Sequence, residues 1–212
     1  MAQQPHPTVQ KAIERYVELE LEIDRLCTAR FAGTCIECGG LCCRANHAAM
    51  TLGSWWLRQV SVAAHGQWWP EDWATRQGCC AQTPTGCVLH AGRPVCCWSW
   101  LCEPLVRQCA DVWEVVFYGF ISELPGDVAR LTPSLDLLQM SEGEIAAAAD
   151  VLAARVELAH RMLAAGRVLL DPAAAQIDKH RVAMRLICQM PRILQPSVHQ
   201  ALLEKMTTWG WE

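Results

Sequence analysis

The sequence predicts a mainly α-helical protein. Helices surround a loop-rich, cysteine-rich centre, and a bundle-like helical half follows. Three observations predict it. Apolar residues recur at helical spacing in several segments, and capping patterns mark some of their starts. Ten of the thirteen cysteines fall in two stretches, 35–43 and 79–102, that are punctuated by Gly, Pro and Thr. From Pro125-Gly126 onward the character changes, and a single cysteine, Cys188, remains. The expected division is a cysteine-cluster domain with its N-terminal helix over 1–124 and a helical support region over 125–212.

Taken in order, residues 1–8 read as a disordered lead, and Pro7 or Thr8 opens a helix over about 9–30. Val9, Ile13, Tyr16, Val17, Leu21, Ile23 and Leu26 give its apolar stripe. Glu14, Glu18, Glu20, Glu22, Asp24 and Arg25 supply its wet faces. Cys27, near its end, reads as a small buried hydrophobe. A loop carries Cys35 to Cys43, and 44–66 is expected to be helical, with Trp55, Trp56 and Val60 inside. Trp68 to Trp73 forms an aromatic turn region. Residues 78–102 read as loop. A helix over 104–122 contains Cys109 and buries Val112, Val115, Val116, Phe117 and Phe120. Ser141-Glu142-Gly143-Glu144 is a capping-box pattern for an Ala-rich helix over about 142–169. Asp171-Pro172 offers an N-cap and a proline at the first helical position for a helix over 172–190. Pro191 stops that helix, and Pro196 starts a last one over 197–208.

Composition narrows the function. The 212 residues can bury a sizeable core, so folding does not need disulfides. The net charge of −4 and the lack of a basic block give no nucleic-acid footprint. No run of about 18 uncharged apolar residues suggests a membrane span. The N-terminus lacks the pattern of a secretory signal, so a cytoplasmic location is expected. In a reducing compartment, clustered cysteines point to metal or redox chemistry more than to a disulfide framework, and an odd count suits full pairing poorly.

Cys35-Ile36-Glu37-Cys38-Gly39-Gly40-Leu41-Cys42-Cys43 places four thiols in nine residues. Gly39 and Gly40 let the backbone turn tightly and aim several sulfurs at one point. Later come Cys80 and Cys87, then Arg93-Pro94-Val95-Cys96-Cys97. This order resembles the CxxCxxCC cysteine-cluster proteins of the YkgJ type over roughly 31–103. The resemblance implies zinc or iron chelation, and a [4Fe–4S] cluster as in at least some members. The extra thiols at Cys79, Cys96, Cys102 and Cys109 depart from that pattern, as do the abundance of Trp and the C-terminal half.

The expected ligands are Cys35, Cys38, Cys42, Cys43, Cys80, Cys87, Cys97 and Cys102. Vicinal thiols such as Cys42-Cys43 suit one tetrahedral zinc poorly, whereas a polynuclear cluster has corners spaced apart. Iron–sulfur, most simply of the [4Fe–4S] type, is therefore the leading cofactor and zinc the alternative. The thiols could also act in redox chemistry without metal. His47 and His90 sit at ligand-like spacing from cysteines, but a hydrogen-bonded structural histidine is the plainer reading of each. Arg44 and Arg93 beside cysteines could stabilise thiolate or sulfide, or simply form salt bridges. Eight of the ten Trp lie between Trp55 and Trp113. They read as cover for the site, with Trp68-Trp69 as an alternative partner-binding patch. The expected function is electron transfer or redox sensing with a protein partner. The alternatives are a zinc-stapled assembly module and an enzyme that uses an open iron site.

Overall fold

In a computed structural model, the described residues are 5–37, 49–66, 79, 81–83, 86–98, 102–129 and 137–189. They are mainly helical, as expected, with two strands of two residues each. The elements are α1 (Pro7–Glu37), α2 (Ala49–Gly53), α3 (Trp55–His65), β1 (Gln82–Thr83), β2 (Gly86–Cys87), α4 (Val95–Trp98), α5 (Glu103–Gln108), α6 (Val112–Ala129), α7 (Glu142–Ala147), α8 (Ala149–Gly166), a 3₁₀ turn (Arg167–Leu170) and α9 (Gln176–Gln189). No helix among the described residues is long and apolar enough to cross a membrane. The aromatic turn region 68–73 and the last expected helix, 197–208, lie outside the described residues.

The chain forms two compact units. The first comprises Met1–Trp98 and Pro125–Ala159. Its backbone is α1, which is longer at both ends than the sequence suggests. Val9, Ala12, Ile13, Tyr16, Leu19 and Ile23 are buried along it. It packs on α3, where Trp56, Leu57 and Val60 are buried. The Tyr16 and Trp56 rings meet at 5.3 Å in a tilted pair. Leu21, placed in the apolar stripe by its type, is instead 40% exposed. Arg15 reaches Glu157 on α8, and Arg155 on α8 reaches Asp127. The Tyr16 hydroxyl donates to the Pro125 carbonyl over 3.3 Å. Strands β1 and β2 pair antiparallel, Gln82 opposite Cys87 and Thr83 opposite Gly86.

The second unit comprises Ser99–Leu124 and His160–Glu212. Phe117, Ile121, Leu124, Leu163, Leu169 and Leu186 are buried in it. Gly166 lies against the Phe117 ring and near Leu186, so a Cβ there would already be in tight contact. The Trp113 indole donates to Gln176 Oε1 over 2.9 Å, tying α6 to α9.

Several expected boundaries move. The 104–122 helix is two helices, because Asp111 caps a new start. Its carboxylate accepts from the Glu114 amide, and Glu114 accepts from the Ala110 amide. Helix α6 then runs through Pro125 to Ala129 rather than stopping before it. The Ser141–Glu144 capping box forms as expected. The helix it starts breaks at Ala148, however, where one amide is shared between the carbonyls of Glu144 and Ile145. Asp171 does not cap a helix at Pro172. Its side chain accepts from the Ala173 amide in a turn, and the helix begins at Gln176.

Candidate functional site: the second cysteine segment on the first helix

The site is built where residues 86–98 lie against α1, all within the first unit. Two carboxylates one helical turn apart, Glu20 and Asp24, project from the same face of α1. Both were expected on wet faces, yet Glu20 is 0% and Asp24 8% exposed. A buried carboxylate is tolerable only with donors around it, and the cysteine segment supplies them. Glu20 accepts from the Gly92 amide and, over 2.8 Å, from the Trp98 indole. Asp24 accepts from the Arg93 guanidinium, and its other oxygen lies 2.8 Å from His90 Nδ1.

Ala91-Gly92 is held from two further helices. The Thr51 hydroxyl on α2 donates to the Gly92 carbonyl over 2.9 Å. His65, at the end of α3, accepts from the Ala91 amide through Nε2 over 3.2 Å. Burial, and then the charge of neighbouring His90, push His65 below the usual histidine range, as suits an acceptor nitrogen. Gly92 has φ of 75°, the left-handed region. A Cβ there would lie 2.7 Å from the Leu57 carbonyl oxygen and 2.7 Å from Ser61 Cβ. Only glycine lets the segment approach α3 so closely.

Arg93 is the centre of the arrangement. Besides Asp24 it donates to the Leu89 carbonyl, and its guanidinium carbon lies 4.6 Å over the Trp98 ring. Burial works against its charge. Cys87, Asp24 and Glu20 together outweigh burial, so its pKa stands above the ordinary arginine value.

Two sulfurs, Cys87 and Cys97, lie beside it, and two more lie near those. Cys97 lies within electrostatic reach of Cys96, Cys87 and Cys79 as well as Arg93. Cys87, packed with Cys79 against buried Ala81 and Leu89, also feels Cys79 and Arg93. Burial pushes the Cys87, Cys96 and Cys97 thiols up. Cys97 is pushed furthest, because three neighbouring sulfurs add to the burial. Such thiols stay protonated at neutral pH, the opposite of an activated nucleophile. Residues 78–102 were expected to be loop. Instead β2 presents Cys87, and the one-turn helix α4 presents Cys96 and Cys97.

The remaining expected ligands fall into three groups. Cys38, Cys42, Cys43 and Cys80 lie outside the described residues, as do His47 and Arg44. Cys35 sits in the last turns of α1 rather than in a loop, and its side chain is likewise outside them. Cys102, in the second unit, is the N-cap of α5 without a side-chain cap bond. Cys109, also in the second unit, is buried with its sulfur 3.5 Å from the Leu105 carbonyl. Among the described residues no three His, Cys, Asp or Glu side chains are arranged to hold a metal ion.

The buried carboxylates Glu20 and Asp24, which hold the cysteine segment on α1, are not expected from residue type. One signal marks Glu20: Ile13, Tyr16, Glu20 and Ile23 continue a single 3–4 spacing, so Glu20 occupies a core position. No family model, no curated protein and no solved structure matches the chain.

Proposed function

We propose that this protein binds an iron–sulfur cluster through its cysteine segments and uses it for electron transfer or redox sensing with a protein partner. One observation carries the reading. Cys87 and Cys97, from separate stretches, lie beside one buried guanidinium, with Cys79 and Cys96 within electrostatic reach of Cys97. Packing alone does not call for two half-buried sulfurs next to a cation with two more sulfurs close by. Soft sulfur donors suit iron–sulfur clusters or zinc. Ligation requires thiolates, and several buried thiolates together need positive charge. Arg93 supplies part of it, and Asp24 already neutralises some of that. A cationic metal core supplies the rest.

The motif spacing supports the same reading. Cys87 and Cys97 would be ligands from the described segment, and Cys35, Cys38, Cys42, Cys43 and Cys80 are the remaining candidates. The cluster would supply the electron; the chain's own residues hold and neutralise the sulfurs. Arg93 faces Cys87 and Cys97, and Trp98 covers Arg93.

Anaerobic purification followed by iron, sulfide and zinc analysis tests the proposal. Stoichiometric iron and acid-labile sulfide, with broad visible absorbance, is the expected result. Colourless protein with stoichiometric zinc would overturn it in favour of a zinc-stapled assembly module.

A further inference from the structure

One pair of soft atoms in the first unit lies outside the ligand set just proposed. Met50, at the start of α2, is 49% exposed. Its thioether sulfur lies 3.9 Å from the sulfur of Cys96, which is also exposed. Cys96 in turn hydrogen-bonds the side chain of Cys97 and lies within electrostatic reach of Cys79. An exposed thiol and an exposed thioether thus meet at the surface, and the part-buried Cys97 thiol is hydrogen-bonded to the first. Sulfurs that share one ion at about 2.3 Å each stand a little under 4 Å apart, which is the Met50–Cys96 separation.

We propose that Met50, Cys96 and Cys97 form a surface site for monovalent copper. Three features select the ion. A thioether is neutral and soft, so it adds little to zinc, which closes its structural sites with four charged or imidazole ligands. Cu(I) is the soft first-row ion for thiolate and thioether donors. Three donors, two of them anionic, satisfy its low charge. The binding step balances simply. Two S–H protons pass to solvent, two Cu–S(thiolate) bonds and one Cu–S(thioether) bond form, and copper keeps its oxidation state. The site moves from neutral to a net single negative charge, beside the Arg93 guanidinium that already faces Cys97. Exposure of Met50 and Cys96 leaves the ion open to delivery and removal by a soluble copper donor.

Because Cys97 belongs to both sites, copper and cluster occupancy exclude each other at that sulfur, and the copper site is tested on metal-free protein. The test uses full-length, metal-free protein carrying ¹³C-methyl methionine, kept anaerobic and titrated with Cu(I). One of the seven methionine resonances is assigned to Met50 by its loss in Met50→Leu. The Met50 methyl is expected to shift within the first equivalents of Cu(I) and to stay in place with Zn(II). Cys96→Ser should abolish that shift and weaken Cu(I) retention against a colorimetric chelator at least tenfold, and Met50→Leu severalfold. A Met50 resonance that moves only after the other thiols are filled, or that still moves in Cys96→Ser, overturns the proposal. Iron and sulfide loading should be the same in Met50→Leu as in the parent chain. Loss of iron in Met50→Leu would assign Met50 to the cluster instead and overturn the copper site.

Discussion

Glu20 concentrates the physics of this protein into one side chain. Burial raises its pKa to about 7, against the pull of the Gly92 amide, the Tyr16 hydroxyl, the Trp98 indole and Arg93. The folded chain therefore holds a proton on Glu20 more tightly than the unfolded chain does. The stability from this difference is complete below the ordinary glutamate range. It is lost as pH rises to about 7, with a slope of at most about 1.4 kcal/mol per pH unit. Glu20→Gln should flatten that part of the stability curve, as denaturant titrations at a series of pH values would show. Gly92→Ala belongs to the same scale. It places a Cβ against the Leu57 carbonyl and Ser61 and forces a positive φ on a residue that resists it. A loss of about 2–4 kcal/mol is expected, read as a lower denaturant midpoint with an unchanged slope. Gly92 did not announce its role locally, and Glu20 did so only through its place in the apolar spacing of α1. The donors to Glu20 lie 72 and 78 residues further along the chain, and glutamate ordinarily means a solvated face.

Elements were legible where their signals are local. The capping box at Ser141 and Glu144 needs only four residues, and it forms. Ser141→Ala should therefore cost about 1 kcal/mol, measured by thermal or chemical unfolding. The same logic, applied to Asp111 and Glu114, would have found the start of α6. Asp111-x-x-Glu114 carries a capping pattern, and these side chains accept from the Glu114 and Ala110 amides. The end of α6 is a different matter. Proline removes a helical hydrogen bond and ordinarily ends a helix, yet the helix continues through Pro125. There Gly126 fits within 2.9 Å of Val95 Cγ1, measured from where a Cβ would stand. That neighbour is 31 residues away in sequence and could not be foreseen. Of the second cysteine segment, the punctuation by Gly and Pro was legible; the hairpin and the one-turn helix inside it were not, because two to four residues carry no periodicity.

At the scale of the whole molecule, the mainly helical class was readable from apolar spacing. The attachment of residues 86–98 to α1 was not, since it depends on buried ionic and hydrogen-bonded pairs rather than on apolar pattern. If the proposed cluster binds, loading should raise the midpoint of thermal unfolding relative to metal-free protein, because a ligand that binds only the folded chain stabilises it by mass action. Calorimetry on both forms checks this. A last consequence follows from the way Ala91-Gly92 is gripped by Glu20, Thr51 and His65, one side chain from each of three helices. That dipeptide is a fulcrum: the hairpin with Cys87 lies on one side of it and α4 with Cys96 and Cys97 on the other. If loading draws these sulfurs inward, both arms must swing about a stationary point. Amide hydrogen exchange at 91 and 92 should then be as slow without cofactor as with it, while the arms on either side slow down when the cofactor binds.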